Sequence, residues 1–240
     1  MIPLRDANPT RRAPVVTIGI LVACFAGWAW ELGLLASGGE TALNDFIAKW
    51  GVVPSELTSA WADGRFFSVE TLTLVTSQFL HGGWLHLLGN MLYLWIFANN
   101  VEDRLGRAVF LVFYLAGGVA AALAQVAVDP TSDIPTIGAS GAIAATLGAY
   151  FVFFPRARIT TLVFLGFFYQ LIDVPAVLVL GFWFVLQLID GLSSLGMVES
   201  NTGGVAFFAH IGGFLAGALA ARLLGRVIGP GRPPTPPPVG

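Results

Sequence analysis

The sequence predicts an all-α membrane protein built as a bundle of six transmembrane helices. Of its 240 residues, 56% are hydrophobic and only 11% are charged, whereas a soluble globular domain carries about 25% charged residues. The mean hydropathy is +0.78, and the apolar residues are grouped into long runs. A chain of this composition is expected to have lipid as the solvent around most of its surface.

Six apolar runs are candidates to cross a bilayer, whose hydrocarbon core is about 30 Å thick. They cover residues 14–36, 84–101, 108–128, 139–154, 174–189 and 205–225. The first run exceeds the apolar part of a cleaved signal peptide, about 7–15 residues, so we interpret it as a true span. The fourth run is short, so the loop before it should enter the membrane. Irregular backbone at that depth needs shielding protein or a wet cavity, which predicts a recessed aqueous site.

The remaining segments complete the predicted organisation. Residues 1–13 form a polar N-terminal segment, residues 14–228 one membrane domain, and residues 229–240 a proline-rich tail that is predicted to be disordered. The connection over residues 37–80 mixes aromatic side chains with scattered charges, a composition typical of segments in the membrane interface. Residues 155–173 are too interrupted by charge to be predicted as a span.

The basic residues predict the orientation, because positive charge accumulates on the cytoplasmic side of a membrane protein. Six spans place both termini on one side, and that side would carry ten arginines. The other side would carry only Lys49 and Arg65. Both termini are therefore expected in the cytoplasm, with the chain in the cell (inner) membrane as a multi-pass protein.

Charge and cysteine content exclude several function classes. The net charge of −2 gives no indication of a nucleic-acid partner, and the single cysteine, Cys24, excludes a disulfide framework. The sequence offers no cysteine cluster for a metal. No cofactor and no metal are predicted, and the expected partners are the lipid bilayer and other membrane-embedded segments.

Four polar residues stand out inside the even-numbered spans, where such groups are costly and usually functional. His86 and Asn90 lie in the second span, Ser140 begins the fourth, and His210 begins the sixth. At 1.5 Å per helical residue, these side chains lie about 18–24 Å from the charges that end their spans. They therefore occupy one layer of the membrane. Polar residues that served only helix packing would have no reason to share a depth.

Nucleophilic catalysis is the chemistry that this set permits. A serine hydroxyl reacts only when a base takes its proton, and His210 could take it from Ser140. Histidine and asparagine side chains such as His86 and Asn90 can donate hydrogen bonds to a developing oxyanion. Since no carboxylate lies in the same layer, a Ser–His dyad is favoured over a triad.

Glycines accompany these reactive residues. Gly138 and Gly141 flank Ser140 closely, and we expect them to allow a sharp turn and leave room around the serine Oγ. Gly213 and Gly217 follow His210 at four-residue spacing, a pattern that lets helix backbones approach closely in lipid. Close contact between the fourth and sixth spans is therefore expected.

The stretches "HGGWLHLLGNM", "GASGAIAA" and "AHIGGFLAGALAA" together resemble the rhomboid family of intramembrane serine proteases. The resemblance covers roughly residues 14–228 and implies a six-helix rhomboid-like bundle with an interface-embedded first loop. It implies a serine endopeptidase whose substrates are transmembrane proteins. By this resemblance Ser140 is the nucleophile, His210 the base, and His86, Asn90 and the Ser140 amide the oxyanion donors.

The resemblance extends to three supporting features. His81 matches a family histidine beside the loop, for which we favour a structural role. Glu102 and Arg104 match a structural cluster at the cytoplasmic end of the second span. The loop over residues 191–204 matches a flexible cap.

Two positions depart from the family pattern. Ala144 stands where well-studied bacterial members have a tyrosine that packs on the catalytic histidine. Either another residue, such as Phe207 or Phe208, holds His210 instead, or the histidine ring is less firmly held. Leu72-Thr73 replaces a Trp-Arg pair of the first loop.

Two other functions remain open at this point. The chain could be a non-catalytic relative that binds transmembrane helices without cutting them, although such relatives typically lack the serine or the histidine. It could also bind b-type haem through His86 and His210. Haem binding would leave Ser140 without a role, and the purified protein would then show a Soret band.

Overall fold

The computed structural model describes residues 2–165, 168–195 and 205–228, and most of them are helical. Their helices are α1 Val15–Trp50, α2 Pro54–Ala62, α3 Val69–Thr76, α4 Trp84–Leu105, α5 Arg107–Val128, α6 Ser140–Phe153, α7 Ala176–Ser194 and α8 Phe207–Ile228. Three strands, β1 Ile2–Asp6, β2 Arg158–Leu165 and β3 Phe168–Pro175, form an antiparallel sheet in that order. The predicted fold class, a helical membrane protein, is confirmed.

Four of the described helices, α1, α5, α7 and α8, are long and apolar enough to cross a membrane. Helix α4 has the length, but polar side chains such as His86 and Asn90 lower its mean hydropathy. Helix α6 has only 14 residues, about 21 Å, and is shorter than a hydrocarbon core. The chain is therefore a membrane protein with several apolar helices, and the count of six spans stays a prediction.

Helix α6 lies at the centre of the bundle, and every residue from Gly141 to Tyr150 is buried. A helix that is apolar on all sides is expected inside a bundle. Helix α8 packs directly on it: a Cβ added to Gly217 would overlap the backbone of Ala145, and one added to Gly148 would overlap the backbone of Phe214. The predicted close contact between these two helices is therefore present.

The carboxylate of Glu102 ties the C-terminal end of α4 to the start of α1. It accepts hydrogen bonds from the backbone N–H groups of Val16 at 3.0 Å and Thr17 at 2.8 Å, and from the Thr17 hydroxyl at 2.7 Å. The first N–H groups of a helix lack partners within the helix and carry partial positive charge. Glu102 therefore caps α1 from a distant part of the sequence. Nearby, the guanidinium carbon of Arg104 lies 5.4 Å from the centre of the Phe153 ring.

Glu102→Ala is expected to lower the free energy of unfolding by about 2–4 kcal/mol, because buried N–H groups would lose a charged acceptor. Thermal unfolding in detergent measures the change. Glu40→Ala is the control, since Glu40 is exposed on α1 and such a surface change stays within about 0.5 kcal/mol. Equal stability of the two variants would contradict the capping role.

The sheet was not predicted from the sequence. Residues 1–13 were expected as a polar segment and residues 155–173 as an irregular connection, whereas β1 pairs with β2 and β2 pairs with β3. Asp6, the last residue of β1, accepts a hydrogen bond from the Tyr150 hydroxyl at 2.7 Å. Burial raises the pKa of the Asp6 carboxyl. The pairing of β1 with distant residues explains why local sequence patterns did not reveal it.

Several predicted boundaries also change. Helix α1 continues to Trp50 across a break at Gly39, where φ is +68°. The connection at residues 37–80 contains helices α2 and α3, with Phe66 and Phe67 exposed. Helix α7 extends to Ser194, five residues beyond the predicted end. The rest of the predicted cap at residues 196–204 and the tail at residues 229–240 lie outside the described residues.

Candidate active site

A cavity of about 920 Å³ opens at the N-terminal ends of α4, α6 and α8. Its walls include all four polar residues that were predicted to share one layer of the membrane: His86, Asn90, Ser140 and His210. A cavity of this volume has room for many water molecules. The structure therefore brings the predicted serine, histidines and asparagine together at one cavity that is large enough for water.

Ser140 is the first residue of α6, and the loop before it is held in place from two sides. Thr136 exchanges two backbone hydrogen bonds with Val52, at 2.8 and 3.0 Å, and the Gly138 N–H donates to the Ser77 carbonyl at 2.9 Å. The free N–H groups of a helix N-terminus favour an anion. Ser140 is therefore located where negative charge is stabilised.

Gly138 is required by its conformation and by its surroundings. Its φ is +124°, a region that residues with a Cβ rarely adopt. A Cβ at this position would also lie 2.7 Å from the Nε2 and Cε1 atoms of His86. The prediction that this glycine permits a sharp turn and leaves room at the site is consistent with both observations.

Gly141 serves a different contact from the one expected. It does not line the cavity, and a Cβ there would lie 2.6 Å from the Cβ of Ala121 on α5. A Cβ on Gly213 of α8 would overlap the Gly141 carbonyl. Gly141 therefore allows α5 and α8 to approach α6, rather than leaving room around the serine Oγ.

His86 and Asn90 present donors toward the loop before Ser140. The Nδ1 atom of His86 accepts a hydrogen bond from the Gly82 N–H at 3.3 Å, so in the neutral ring the proton resides on Nε2. Nε2 is the atom that faces Gly138. Among the described residues, the buried Nδ2 of Asn90 has no hydrogen-bond partner, so this donor is available to a bound group.

His210 is held by helix α7. Its Nδ1 is 2.6 Å from Oε1 of Gln187, and its ring lies 5.9 Å from that of Trp183 with an interplanar angle of 38°. Phe207 or Phe208 was expected to hold the ring, whereas the aromatic ring found against His210 is that of Trp183, and Phe207 and Phe208 both lie beside Gly191. The aromatic partner that Ala144 cannot provide comes from a neighbouring helix.

His81 lies behind the site rather than in it. Only 1% of its surface is exposed, it does not line the cavity, and its ring meets His86 edge-on at 5.3 Å. Its backbone N–H is 3.2 Å from both carboxylate oxygens of the buried Glu31. The favoured structural role is consistent with this position.

Four residues around the site were missed by sequence reasoning: Gln125 and Trp183, which line the cavity, and Gln187 and Glu31, which contact the histidines. Gln187, a lone polar residue within the fifth apolar run, would have been found if the odd-numbered spans had also been searched for polar side chains at this depth. It lies about 17 Å along the helix from Ala176, at the depth estimated for His210. Glu31 is an ionisable residue within the first apolar run, which was itself a signal.

The family model for the rhomboid domain matches residues 68–227, which contain the whole cavity except Pro54. The chain is 36% identical over 149 residues to the rhomboid protease GluP of Bacillus subtilis, covering 62% of this chain and 26% of the relative. It is 38% identical over 81 residues to the putative rhomboid protease YdcA of the same organism, covering 34% and 40%. A presenilin-associated rhomboid-like protein A, mitochondrial, of Danio rerio is 32% identical over 126 residues, covering 50% and 33%.

These matches and the helical membrane fold define the class of protein. The chain belongs to the rhomboid family, as the matching motifs had indicated. It spans between a quarter and two fifths of the length of these relatives.

Proposed function

We propose that this chain is an intramembrane serine endopeptidase that cleaves transmembrane segments by means of a Ser140–His210 dyad. The observation that carries the proposal is that Ser140, His210, His86 and Asn90 line one and the same cavity. The protease names of the Bacillus relatives are consistent with it. A packing serine would not need to share a cavity with His86, Asn90 and His210.

Catalysis would begin when His210 takes the proton from Ser140 Oγ and the oxygen attacks the scissile carbonyl. Because Nδ1 of His210 faces the Gln187 carbonyl oxygen, the lone pair would be on Nε2. The same nitrogen would then return its proton to the leaving amine. The resulting acyl-enzyme would be hydrolysed by water from the cavity, with His210 acting once more as base.

The negative charge of the tetrahedral intermediate would be stabilised by three donors. They are Nε2–H of His86, the free Nδ2–H of Asn90 and the backbone N–H of Ser140 at the start of α6. Donors that are already aimed at the position of the developing charge lower a barrier by several kcal/mol. Gly138 would preserve the space between His86 and the loop.

The membrane orientation follows from the basic residues. We place both termini in the cytoplasm of an inner-membrane, multi-pass protein, which puts the cavity toward the outer face. The substrates would be transmembrane proteins, each cut near the outer end of its membrane segment. Water would reach the scissile bond from that side.

Cleavage by the purified protein in liposomes tests the proposal directly. A generic transmembrane substrate should yield two fragments whose new ends lie near the outer face. Crosslinking of the same substrate to the protein without any fragment would overturn the proposal in favour of a non-catalytic binding protein.

Asn90→Ala is expected to lower kcat about 10²–10³-fold, because one oxyanion donor would be lost. The initial rate of cleavage at saturating substrate measures the effect. Asn99→Ala is a matched control on the same helix, since Asn99 bonds to Asn100 away from the cavity. If both variants cleave at the wild-type rate, Asn90 only joins helices.

A further inference from the structure

We infer that Gln187 of α7 is the positioning residue of the catalytic base, in the place that a carboxylate occupies in a Ser–His–Asp triad. This inference rests on the proposed function of Ser140 and His210. Its basis is the 2.6 Å contact between Oε1 of Gln187 and Nδ1 of His210. Gln187 does not line the cavity, so it acts on the reaction through His210 alone.

The contact determines which nitrogen of His210 is basic. A glutamine carbonyl oxygen can only accept, so Nδ1 must carry a proton and the lone pair must be on Nε2. Trp183 restricts rotation of the ring from the same helix, with ring centres 5.9 Å apart. Two residues one helical turn apart on α7 therefore set the tautomer and the orientation of the base.

An amide suits this depth better than a carboxylate. A buried carboxylate carries a desolvation penalty of several kcal/mol, and charged groups inside a membrane are costly. A neutral carbonyl dipole still stabilises the imidazolium that forms when Ser140 loses its proton. Glutamine thus supplies the orienting acceptor without placing a charge in the membrane layer.

Polar side chains in membrane helices also hydrogen-bond across helices merely to join them. This alternative predicts that loss of Gln187 loosens α7 from α8 and lowers stability. Positioning of the base instead predicts a slower chemical step in a protein of unchanged stability. Measurements of kcat, KM and melting temperature therefore distinguish the two explanations.

The experiment compares Gln187→Met, which keeps the length and removes the acceptor, with Gln187→Glu, which retains acceptor oxygens. Cleavage by the full chain in liposomes gives kcat and KM, and thermal unfolding gives the melting temperature. We expect Gln187→Met to lower kcat about 10- to 100-fold, the effect of a misplaced catalytic group, with KM and melting temperature unchanged. Gln187→Glu should recover most of the kcat, while the desolvation penalty of its carboxylate lowers its melting temperature.

Ser193→Ala is the matched control, because among the residues that the structure describes the Ser193 hydroxyl bonds only within α7, to the Ile189 carbonyl. A Gln187→Met variant with the wild-type kcat would overturn the inference while leaving the proposed function intact. A loss of rate that Gln187→Glu does not restore, or that accompanies a lower melting temperature, would also overturn it. Absence of cleavage by the wild type would instead contradict the proposed function.

Discussion

Ser140→Ala is expected to lower kcat about 10⁴–10⁶-fold, the range seen when a nucleophile is removed from a serine protease. Without Oγ no acyl-enzyme can form, and the donors at the start of α6 can only assist direct attack by water. The variant should fold normally, since Ser140 is replaced by a good helix former in the first turn of α6. Fragment formation in liposomes, followed to long times, measures the loss.

Ser132→Ala is the matched control, because this serine also lines the cavity but accepts a hydrogen bond from the Ile134 N–H. It should cleave within a few-fold of the wild type. The double variant Ser140→Ala, His210→Ala should be no slower than Ser140→Ala alone, because members of a catalytic unit are not additive. Cleavage by Ser140→Ala at the rate of Ser132→Ala would remove the serine from the mechanism.

Gly217→Val is expected to destabilise the protein by at least about 3 kcal/mol, the upper part of the range for overpacking. A Cβ at Gly217 would overlap the carbonyl oxygen, the carbonyl carbon and the Cα atom of Ala145. These are backbone atoms, which cannot move aside as the end of a flexible side chain can. The helices α6 and α8 would separate, and with them Ser140 and His210. Unfolding in detergent measures the stability, and the cleavage rate should fall in parallel.

Gly181→Val is the matched control, since no described atom lies within 4 Å of a Cβ at Gly181 on α7, apart from its chain neighbours and the backbone of its own helix. It should change the unfolding free energy by less than about 0.5 kcal/mol. If both valine variants melt at the same temperature, α6 and α8 do not pack as closely as the structure has them.

The sequence was most informative at polar residues that lie within apolar runs. Ser140, His86, Asn90 and His210 are polar in apolar runs, and their shared depth predicted that they meet. The structure brings them to one cavity. The four-residue spacing of Gly213 and Gly217 likewise predicted the contact between α6 and α8, because small residues in lipid serve close packing.

Features that depend on distant pairing could not be predicted in the same way. Strand β1 gains its hydrogen bonds from β2, more than 150 residues away, and no local pattern specifies such a partner. The support of His210 by Trp183 and Gln187 depends on how α7 packs beside α8. The resemblance pointed to position 144 for the aromatic partner, and only the packing shows that a neighbouring helix supplies it.

The most direct test of the central claim is the site at which a fluorophosphonate reacts with the protein. Such a reagent phosphonylates an activated serine hydroxyl, and mass spectrometry of peptides locates the adduct. If Ser140 and His210 form a catalytic dyad, we expect one adduct, on Ser140, which is lost in His210→Ala and unchanged in Ser132→Ala. No adduct, or an adduct on another serine while Ser140→Ala still cleaves substrate, would contradict it.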